Sequence, residues 1–481
     1  MKRTIFLLTL LTAVTMSAKA YVPGDRIYLD GIEYYVEFPP SEGVRVCGFS
    51  YGGDGGGITN VVIPETVYGY RVTSIGNGAF KEKTGIRTVK LPAGINSIGG
   101  SAFEDCSNLT EVTLPAGIEI TEIEDYTFSG CTSLTEITIP DGVNSIGAYA
   151  FMNCTSLTEI TIPHSVLRIG EIINYYNEGH TFDGCNNLER INISDLSAWC
   201  NIDFSPYGSV YSNPLASNEN ARLYLNGELI TDLVIPEDVT EVKPGAFNFY
   251  KGLKSVTVHP GLAKIGEKSF NWCDNLEAVH ISDLSAWCRI DFDDDSANPV
   301  HSAHNLYLNG ELVTDLVIPD GITEVKDYAF YGCSGLTSVT IPESVTSIGN
   351  SAFRDCSGLT SIVLGDGIEE FGGNSYDNAF YGCDISEIIL LDDSFEYLNQ
   401  IEGIADGANV YGFIYGADAP SGVRYRQLEL DIPDYTYTGH GPEYISVLEN
   451  TSSYRIECTG VDGDESIDVG SHDATTAEVC I

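Results

Sequence analysis

Apolar positions along this chain recur at a fixed interval, in a pattern that changes within each interval. One unit reads VTLPAGIEITEIEDYTFSGCTSL at 112–134, and the next reads ITIPDGVNSIGAYAFMNCTSL at 137–157. Both follow the template L-x-x-I-x-I-P-x-x-V-x-x-I-G-x-x-A-F-x-x-C-x-x-L. The template phenylalanine recurs at Phe80, Phe103, Phe128, Phe151, Phe182, Phe247, Phe270, Phe330, Phe353 and Phe380, most often 23 residues apart. Such a period indicates a repeat architecture.

The order of apolar residues within one unit predicts its local structure. Residues 112–114 alternate apolar and polar, which is typical of a short strand, and Pro115 ends that strand because proline cannot continue a ladder. The spacing of three in Phe128-x-x-Cys131-x-x-Leu134 fits a single helical turn with all three side chains inward. Glycine follows the second isoleucine in many units, where it is expected to supply a positive φ. Those glycines are Gly76, Gly99, Gly147, Gly170, Gly266 and Gly349.

A unit of this size buries too few apolar side chains to fold alone, so consecutive coils must stack and share a core. The predicted fold class is therefore a repeat solenoid of short parallel strands and turns, mainly β with little helix. The solenoid is expected to cover residues 61–390. At a strand spacing of about 4.8 Å, roughly twelve coils would form a rod about 55–60 Å long.

Two insertions break the period and match each other. ISDLSAWCNIDF begins at 193 and ISDLSAWCRIDF at 281, and each is followed by a segment that contains LYLNGEL. Asn226-Gly227 and Asn309-Gly310 lie between alternating apolar residues, which predicts a tight β-hairpin in each insertion. We place the hairpin insertions at about 194–232 and 282–315, within a block that has been duplicated.

The two ends of the chain differ from the repeats. Lys2 and Arg3, the apolar stretch 5–16 and the Ala18-Lys19-Ala20 site predict a signal peptide over 1–20, so the mature chain is expected to begin at Tyr21. Residues 21–60 are expected to form an N-terminal cap and 391–433 a C-terminal cap. Residues 434–481 are expected to form part of a β-sandwich-like module that stops in mid-strand.

Charge narrows the classes of function. The chain has 24 basic and 69 acidic residues, for a net charge of −45. A surface of this sign repels phosphate backbones and anionic headgroups, which argues against nucleic acid and membrane surfaces as partners. After the signal peptide no apolar stretch is long enough to predict a transmembrane segment. A content of 43% hydrophobic and 10% aromatic residues favours a folded core over disorder.

The repeat template and the LYLNG segments over about 60–390 resemble those of the BspA-like leucine-rich-repeat surface antigens. ANVYGFIYGADAPSGVRYRQL at 408–428 resembles the closing segment of that family, and DYTYTG at 434–439 resembles the start of a bacterial immunoglobulin-like module. The resemblance implies a right-handed solenoid that is secreted or held at the bacterial surface. It also implies adhesion to host extracellular proteins or to surface proteins of other bacteria, with glycans as a further class of partner. No LPxTG-type sorting signal is visible.

Thirteen cysteines are present, and eight occupy the same template position. They are Cys106, Cys131, Cys154, Cys185, Cys273, Cys333, Cys356 and Cys383. Disulfides between neighbouring coils are one interpretation for an exported protein. We favour a column of buried thiols, because cysteine packs as a small hydrophobe and Tyr250 holds the position in one unit. No C-x₂-C pair is present, which argues against zinc.

Cofactor and catalytic motifs are weak. Residues 293–295 with His301 and His304 are one metal hypothesis, and Asp462-x-Asp464-x-Ser466-x-Asp468 imitates a calcium loop without its glycine. We predict no cofactor, apart from loose calcium binding by many carboxylates. No G-x-S-x-G, H-E-x-x-H or Walker motif occurs, so no enzymatic activity is predicted.

The outward positions of the repeat strands form the candidate interaction stripe. It comprises Thr113, Thr138, Thr161, Thr257, His280, Thr340, Glu111, Glu136 and Glu159. We favour the interpretation that these residues form a solvated threonine ladder that only stabilises the strands, because the stripe is expected to lack aromatic anchors. Tyr207 and Tyr211 in the first insertion and the glycine-rich loop 51–57 are rival surfaces. We therefore predict an interaction or adhesion protein, with a structural spacer and a glycan-binding accessory protein as alternatives.

Overall fold

The computed structural model describes residues 21–38, 43–49, 57–114, 118–170, 180–204, 212–365, 367–372, 378–390, 401, 403–412, 424–431 and 455–460. Several predicted features lie outside these residues. They are the signal peptide, the loop residues 51–56, Tyr207, Tyr211, most of the C-terminal cap, most of the terminal module and the calcium-like segment 462–468.

The regular elements are short. The strands through the first hairpin are β1 (Arg26–Leu29), β2 (Ile32–Val36), β3 (Gly43–Phe49), β4 (Asn60–Val62), β5 (Thr66–Val67), β6 (Tyr70–Ile75), β7 (Thr88–Lys90), β8 (Ser97–Ile98), β9 (Glu111–Thr113), β10 (Glu122–Ile123), β11 (Glu136–Thr138), β12 (Ser145–Ile146), β13 (Glu159–Thr161), β14 (Arg168–Ile169), β15 (Arg190–Ile193), β16 (Arg222–Leu225) and β17 (Glu228–Leu229). The remaining strands are β18 (Asp232–Val234), β19 (Glu241–Val242), β20 (Ser255–Val258), β21 (Lys264–Ile265), β22 (Ala278–Ile281), β23 (Asp291–Phe292), β24 (Leu306–Leu308), β25 (Glu311–Leu312), β26 (Asp315–Val317), β27 (Glu324–Val325), β28 (Ser338–Ile341), β29 (Ser347–Ile348), β30 (Ser361–Leu364), β31 (Glu370–Phe371), β32 (Ile385–Leu390), β33 (Ile404–Gly412), β34 (Arg424–Asp431) and β35 (Arg455–Gly460). The α-helices are α1 (Leu196–Cys200), α2 (Leu284–Trp287) and α3 (Pro299–Ala303), and 3₁₀ turns lie at Pro214–Ala216 and Asp295–Ala297.

A typical coil contributes one strand to a front sheet and a two-residue strand to a back sheet. The front sheets have the orders β4-β7-β9, β11-β13-β15-β16-β17, β18-β20-β22-β24-β25 and β26-β28-β30-β32-β33-β34-β35. The back sheets have the orders β10-β12-β14, β19-β21-β23 and β27-β29-β31, and the N-terminal sheet consists of β1, β2, β3, β5, β6 and β8. Coil-to-coil pairings are parallel, as between β11 and β13. The prediction of a solenoid of short parallel strands with little helix is confirmed over about 13 turns.

The predicted turn at Phe-x-x-Cys-x-x-Leu forms, and its three apolar side chains are fully buried in each well-formed coil. Phenylalanines of successive coils stack, with ring centroids 5.5 Å apart between Phe103 and Phe128 and 5.1 Å apart between Phe330 and Phe353. These offset ring stacks run through the core and tie each coil to its neighbours. The packing of one coil therefore depends on the coils beside it.

The expected role of the glycines after the second isoleucine is wrong for most of them. Only Gly170 in that set has a positive φ, at 85°. The others lie against the preceding coil: a Cβ on Gly147 would stand 2.7 Å from the backbone nitrogen of Asp125, and one on Gly349 would stand 2.5 Å from that of Asp327. Glycine is required there because two backbones approach closely, which a single-unit reading of the sequence does not show.

Each duplicated segment forms a longer coil that ends in a hairpin. The Asn226-Gly227 turn has φ values of 52° and 87°, and it joins β16 to the antiparallel β17. Asn309-Gly310 does the same between β24 and β25. Both predicted hairpins are therefore present. Their first strands also pair in parallel with the preceding coil, so LYL belongs to the front sheet as well as to the hairpin.

Candidate interaction surface

We define the strand face as the outward side chains of the front-sheet strands. The candidate stripe lies on it, but four separate sheets divide the stripe. Glu111 and Thr113 belong to the first of these sheets. The second carries Glu136, Thr138, Glu159 and Thr161, the third Thr257 and His280, and the fourth Thr340. Within a sheet the positions align: Glu136 lies beside Glu159, and Thr138 beside Thr161. The stripe is therefore a set of short rows.

The second front sheet carries what we call the first row. It consists of the registered outward residues Thr138, Thr161, Asn192, Tyr224 and Leu229. Tyr224 is half-buried, and Leu229 is 45% exposed at the hairpin edge. With five strands at about 4.8 Å, the row spans roughly 19 Å.

The third front sheet carries the second row. It consists of Val234, Thr257, His280, Tyr307 and Leu312. Val234 is 60% exposed and Leu312 is 42% exposed, whereas the residues between them are half-buried. The rings of His280 and Tyr307 lie 5.0 Å apart, centroid to centroid. The row is therefore an aromatic pair with an exposed apolar side chain at each end.

The expectation that aromatic anchors are absent from the stripe is wrong. Tyr224 lies in register with Asn192, and Tyr307 lies in register with His280. Both tyrosines alternate with the buried Leu223 or Leu306, so the strand period alone places them outward. They were missed because LYLNG reads as an insertion outside the repeat. Large aromatic side chains are typical of binding hot spots.

The first row is closed by contacts within the protein. The guanidinium carbon of Arg190 lies 3.6 Å from the ring centroid of Tyr224. Arg190 Nε donates to Asn192 Oδ1 at 3.0 Å and lies 3.7 Å from a carboxylate oxygen of Glu159. Asn192 Nδ2 donates to the same carboxylate at 2.6 Å. The protein's own cation therefore covers Tyr224.

The second row has no such cation. In the register between strands, Ala278 on the third front sheet corresponds to Arg190 on the second, and Ser255 corresponds to Glu159. Ser255 Oγ donates to a carboxylate oxygen of Asp232 at 2.7 Å, and Thr231 Oγ1 donates to the other oxygen at 2.9 Å. The hydrogen bond from Ser255, followed by that from Thr231, lowers the pKa of Asp232. Its carboxylate is therefore ionised at neutral pH.

The fourth front sheet differs from both. Its corresponding outward residues are Val317, Thr340, Val363 and Ile389. Ser338 Oγ donates to Asp315 at 2.6 Å, as Ser255 does to Asp232, and this bond lowers the pKa of Asp315. None of these four residues is aromatic, whereas the first and second rows carry Tyr224 and Tyr307.

A family model for the BspA type leucine rich repeat region matches residues 54–180, 220–288 and 303–401, with six copies. These matches cover more than half of the chain. The chain belongs to the BspA-type leucine-rich-repeat family. No protein with a curated description matches it.

Several solved structures resemble this BspA-type chain. One is a leucine-rich repeat protein from Bacteroides ovatus, at 23% identity over 83% of this chain and 99% of that chain, with a TM-score of 0.45. Another is a leucine rich cell surface protein from Faecalibacterium prausnitzii, at 22% identity over 74% and 98%, with a TM-score of 0.35. A third is the pneumococcal vaccine antigen PcpA, at 19% identity over 81% and 93%, with a TM-score of 0.36.

The repeated cysteines of this BspA-type solenoid are free thiols in the core. Cys131 Sγ donates to the carbonyl of Phe103 at 3.2 Å, and Cys185 Sγ donates to that of Phe151 at 3.0 Å. Each of these thiols thus donates a hydrogen bond to a backbone carbonyl of the preceding coil. Burial raises the pKa of Cys273 to about 12, which keeps its thiol protonated and unreactive. This cross-coil hydrogen bond gives the column a role beyond filling space.

The residues of the first metal hypothesis are used in local structure. Asp294 caps the turn Asp295–Ala297 by accepting from Ala297 N at 2.7 Å, and Asp293 pairs with Lys264 at 2.8 Å. His304 bonds to the carbonyl of Gly332 at 3.0 Å. Within the described ranges, no group of three His, Cys, Asp or Glu side chains is arranged to hold a metal ion.

The helices of this family member are short turns packed on the solenoid. The longest comprises five residues, as in α1 (Leu196–Cys200). Over the part of the chain that the structure describes, no helix has the length and apolar character needed to cross a bilayer.

Proposed function

We propose that this BspA-type protein is an exported interaction protein of the bacterial surface, which adheres to a host extracellular protein or to a protein on another bacterium. The strand face is the part of the solenoid that binds. The observation that carries the proposal is that each of the two rows on that face includes a tyrosine, and each tyrosine is supplied by one of the two duplicated coils.

Physical reasoning separates these rows from the rest of the surface. Leu229, Val234 and Leu312 are exposed on this face. Leu229 lies in register with Tyr224 and Leu312 with Tyr307, whereas Val234 lies at the other end of the second row. A partner that covers a row would bury apolar and aromatic area within a polar rim, which is the usual anatomy of a binding site. The side chains are held on strands within a continuous hydrogen-bonded ladder, so little ordering cost remains on binding.

Non-enzymatic binding fits both the family and the chemistry. Members of this family are typically structural or interaction proteins. Glu159 and Arg190 on the strand face contact each other, and Asn192 donates a hydrogen bond to Glu159.

The test is the binding of the chain from Tyr21 onward to an array of matrix proteins, plasma proteins, glycans and bacterial surface extracts, read by surface plasmon resonance at about 0.15 M salt. We expect saturable binding to at least one protein. The double variant Tyr224→Ala, Tyr307→Ala should lose most of it. Trp272→Ala is the matched control, because Trp272 is 54% exposed and lies in a turn away from the strand face.

Three outcomes would contradict the proposal. Full binding by the double tyrosine variant would move the site away from the strand face. Silence across the whole array would favour a structural spacer. Binding to glycans alone would favour the glycan-binding accessory role.

A further inference from the structure

The duplicated coils differ at the two positions that decide what can reach the tyrosine. The segments RINISDLSAWC and AVHISDLSAWC differ at their first three positions and agree over the last eight. The first change replaces Arg190 by Ala278, and the third replaces Asn192 by His280. The second exchanges Ile191 for Val279, and both are buried. The tyrosine that follows is retained in both copies.

The first copy shows what this arrangement binds. Arg190 lies flat over Tyr224, with its guanidinium carbon 3.6 Å from the ring centroid. Its nitrogens reach Asn192 Oδ1 at 3.0 Å and the carbonyl of Gly227 in the hairpin turn at 3.5 Å. An aromatic face with nearby carbonyl and carboxylate oxygens is a general receptor for a guanidinium or ammonium group. Here the protein supplies that group itself.

The second copy keeps the tyrosine and the hairpin glycine and has Ala278 in place of the arginine. Tyr307 is half-buried, and its neighbour in the row is the His280 ring at 5.0 Å. Gly310 occupies the same hairpin position as Gly227 and is open to solvent. The short side chain of Ala278 leaves the approach along the strand uncovered.

Charge and shape around the second copy complement a basic side chain. Asp232 lies at the start of the same sheet and holds its carboxylate through Ser255 at 2.7 Å. Val234 and Leu312 are exposed at the ends of the row, where they can make apolar contact with the methylene groups of arginine or lysine side chains. With 69 acidic and 24 basic residues, the whole chain attracts cationic partners and repels anionic ones.

We infer that the second row, centred on Tyr307 and His280, binds an arginine or lysine side chain on a basic segment of a protein partner. The first row is filled by Arg190 and does not accept one. This inference rests on the proposed function, and it names the chemistry of the partner at one of the two rows.

The test uses a fluorescein-labelled peptide with the sequence Leu-Arg-Gly-Leu-Arg-Gly-Leu-Arg. Its control is the same peptide with citrulline in place of each arginine, which keeps the shape and removes the charge. Binding to the chain from Tyr21 onward is read by fluorescence anisotropy at about 0.15 M salt. We expect the arginine peptide to bind about tenfold more tightly than the citrulline peptide.

Variants locate the binding. Ala278→Arg supplies the second copy with the cation of the first and should weaken arginine-peptide binding about fivefold, as should Tyr307→Ala. Tyr307→Phe keeps the ring and should stay within about twofold of wild type. Arg190→Ala uncovers Tyr224 and should raise the stoichiometry from one peptide to two. Trp272→Ala is the control that leaves both rows intact. Circular dichroism is used to check that each variant is folded.

The contrary results are distinct. Equal affinity for the citrulline peptide, or unchanged binding by both Ala278→Arg and Tyr307→Ala, would overturn the inference. So would binding of a neutral oligosaccharide that depends on Tyr307 while the arginine peptide fails to bind. A protein from the array that binds wild type and Ala278→Arg equally would overturn this inference and leave the proposed function standing. Arginine-dependent binding at Tyr307 with a silent array would do the reverse.

Discussion

The two duplicated coils have the same core packing and differ in their outward side chains. Trp199 and Trp287 are both buried, and each indole nitrogen donates to an alanine carbonyl of the following coil at 2.9 Å. Their rings lie 5.0 and 5.3 Å from those of Phe204 and Phe292. Outward, Arg190 corresponds to Ala278. Buried side chains are constrained by the atoms packed around them, whereas outward side chains can change without disturbing the coil. The two copies therefore differ mainly in their outward residues.

The largest expected effect tests the shared core. Trp199→Ala and Trp287→Ala should each destabilise the solenoid by about 3–5 kcal/mol, because each removes a fully buried indole and its cross-coil hydrogen bond. The measurement is urea denaturation, with hydrogen exchange to locate the opened coils, since repeat proteins open locally. The surface change Trp272→Ala is the control. A large loss from only one of the two substitutions would break the equivalence of the cores.

The next effect concerns the coils that follow the hairpins. Tyr250 lies where the second copy has Cys333, and burial raises the pKa of Tyr250 to about 12. Its hydroxyl donates to the carbonyl of Ile230 and accepts from Leu223 N at 3.3 Å. Tyr250→Phe should therefore cost about 1–3 kcal/mol, measured by the same denaturation. Tyr381→Phe, on an exposed ring, should change stability by less than about 0.5 kcal/mol. Equal losses from the two would contradict this account.

A smaller effect tests the closed first row. Arg190→Ala should cost about 1 kcal/mol, because it removes a cation–π contact and a partly exposed ion pair. A double-mutant cycle of Arg190→Ala with Tyr224→Leu should give a coupling energy of about 0.5–1 kcal/mol. Ala278→Arg in the second copy should stabilise by less than that, since Ser255 replaces Glu159. A coupling energy of zero would show that the stacked pair does not contribute.

The smallest expected effect is a pH-dependent change in stability at Asp232, on the sheet that carries the second row. The pKa of Asp232 is lowered when the protein folds, so its hydrogen bonds contribute stability above the unfolded pKa of about 3.9 and lose it as the pH falls through the folded value. Ser255→Ala should thus cost less than about 1 kcal/mol at pH 7, because the carboxyl is exposed. The cost should decrease as the pH falls below the unfolded pKa and the carboxylate takes up its proton. Ser338→Ala beside Asp315 is the matched case. A loss that persists at low pH would contradict this assignment.

Much of the fold follows from the template. The recurrence of phenylalanine, the spacing of three to Cys and Leu, and the two Asn-Gly pairs predicted the stacked coils, the buried turns and the hairpins. Each of these is a local pattern whose consequence is also local. The role of Gly147 was mispredicted because it depends on the backbone of Asp125 in the preceding coil, a contact 22 residues away in the chain.

The candidate surface was predicted only in part. The outward threonines and glutamates came from strand alternation, and they do lie on the strand face. Their division into rows and the addition of Tyr224 and Tyr307 did not, because the pairing of β16 and β24 with the preceding coils is a long-range property. The sequence shows LYLNG as a hairpin, and pairing across the sheet makes it part of a row.

The sequence alone determined that this chain is a stacked repeat with a duplicated block, because apolar periodicity and turn chemistry act over a few residues. Only the tertiary structure decided that Arg190 covers Tyr224, and that Tyr307 has the His280 ring beside it with no arginine or lysine of the described residues over its face. Those residues are separated by more than thirty positions in the chain and become neighbours only when parallel strands bring coils within about 4.8 Å of each other. The composition of the two rows therefore depends on the register between coils.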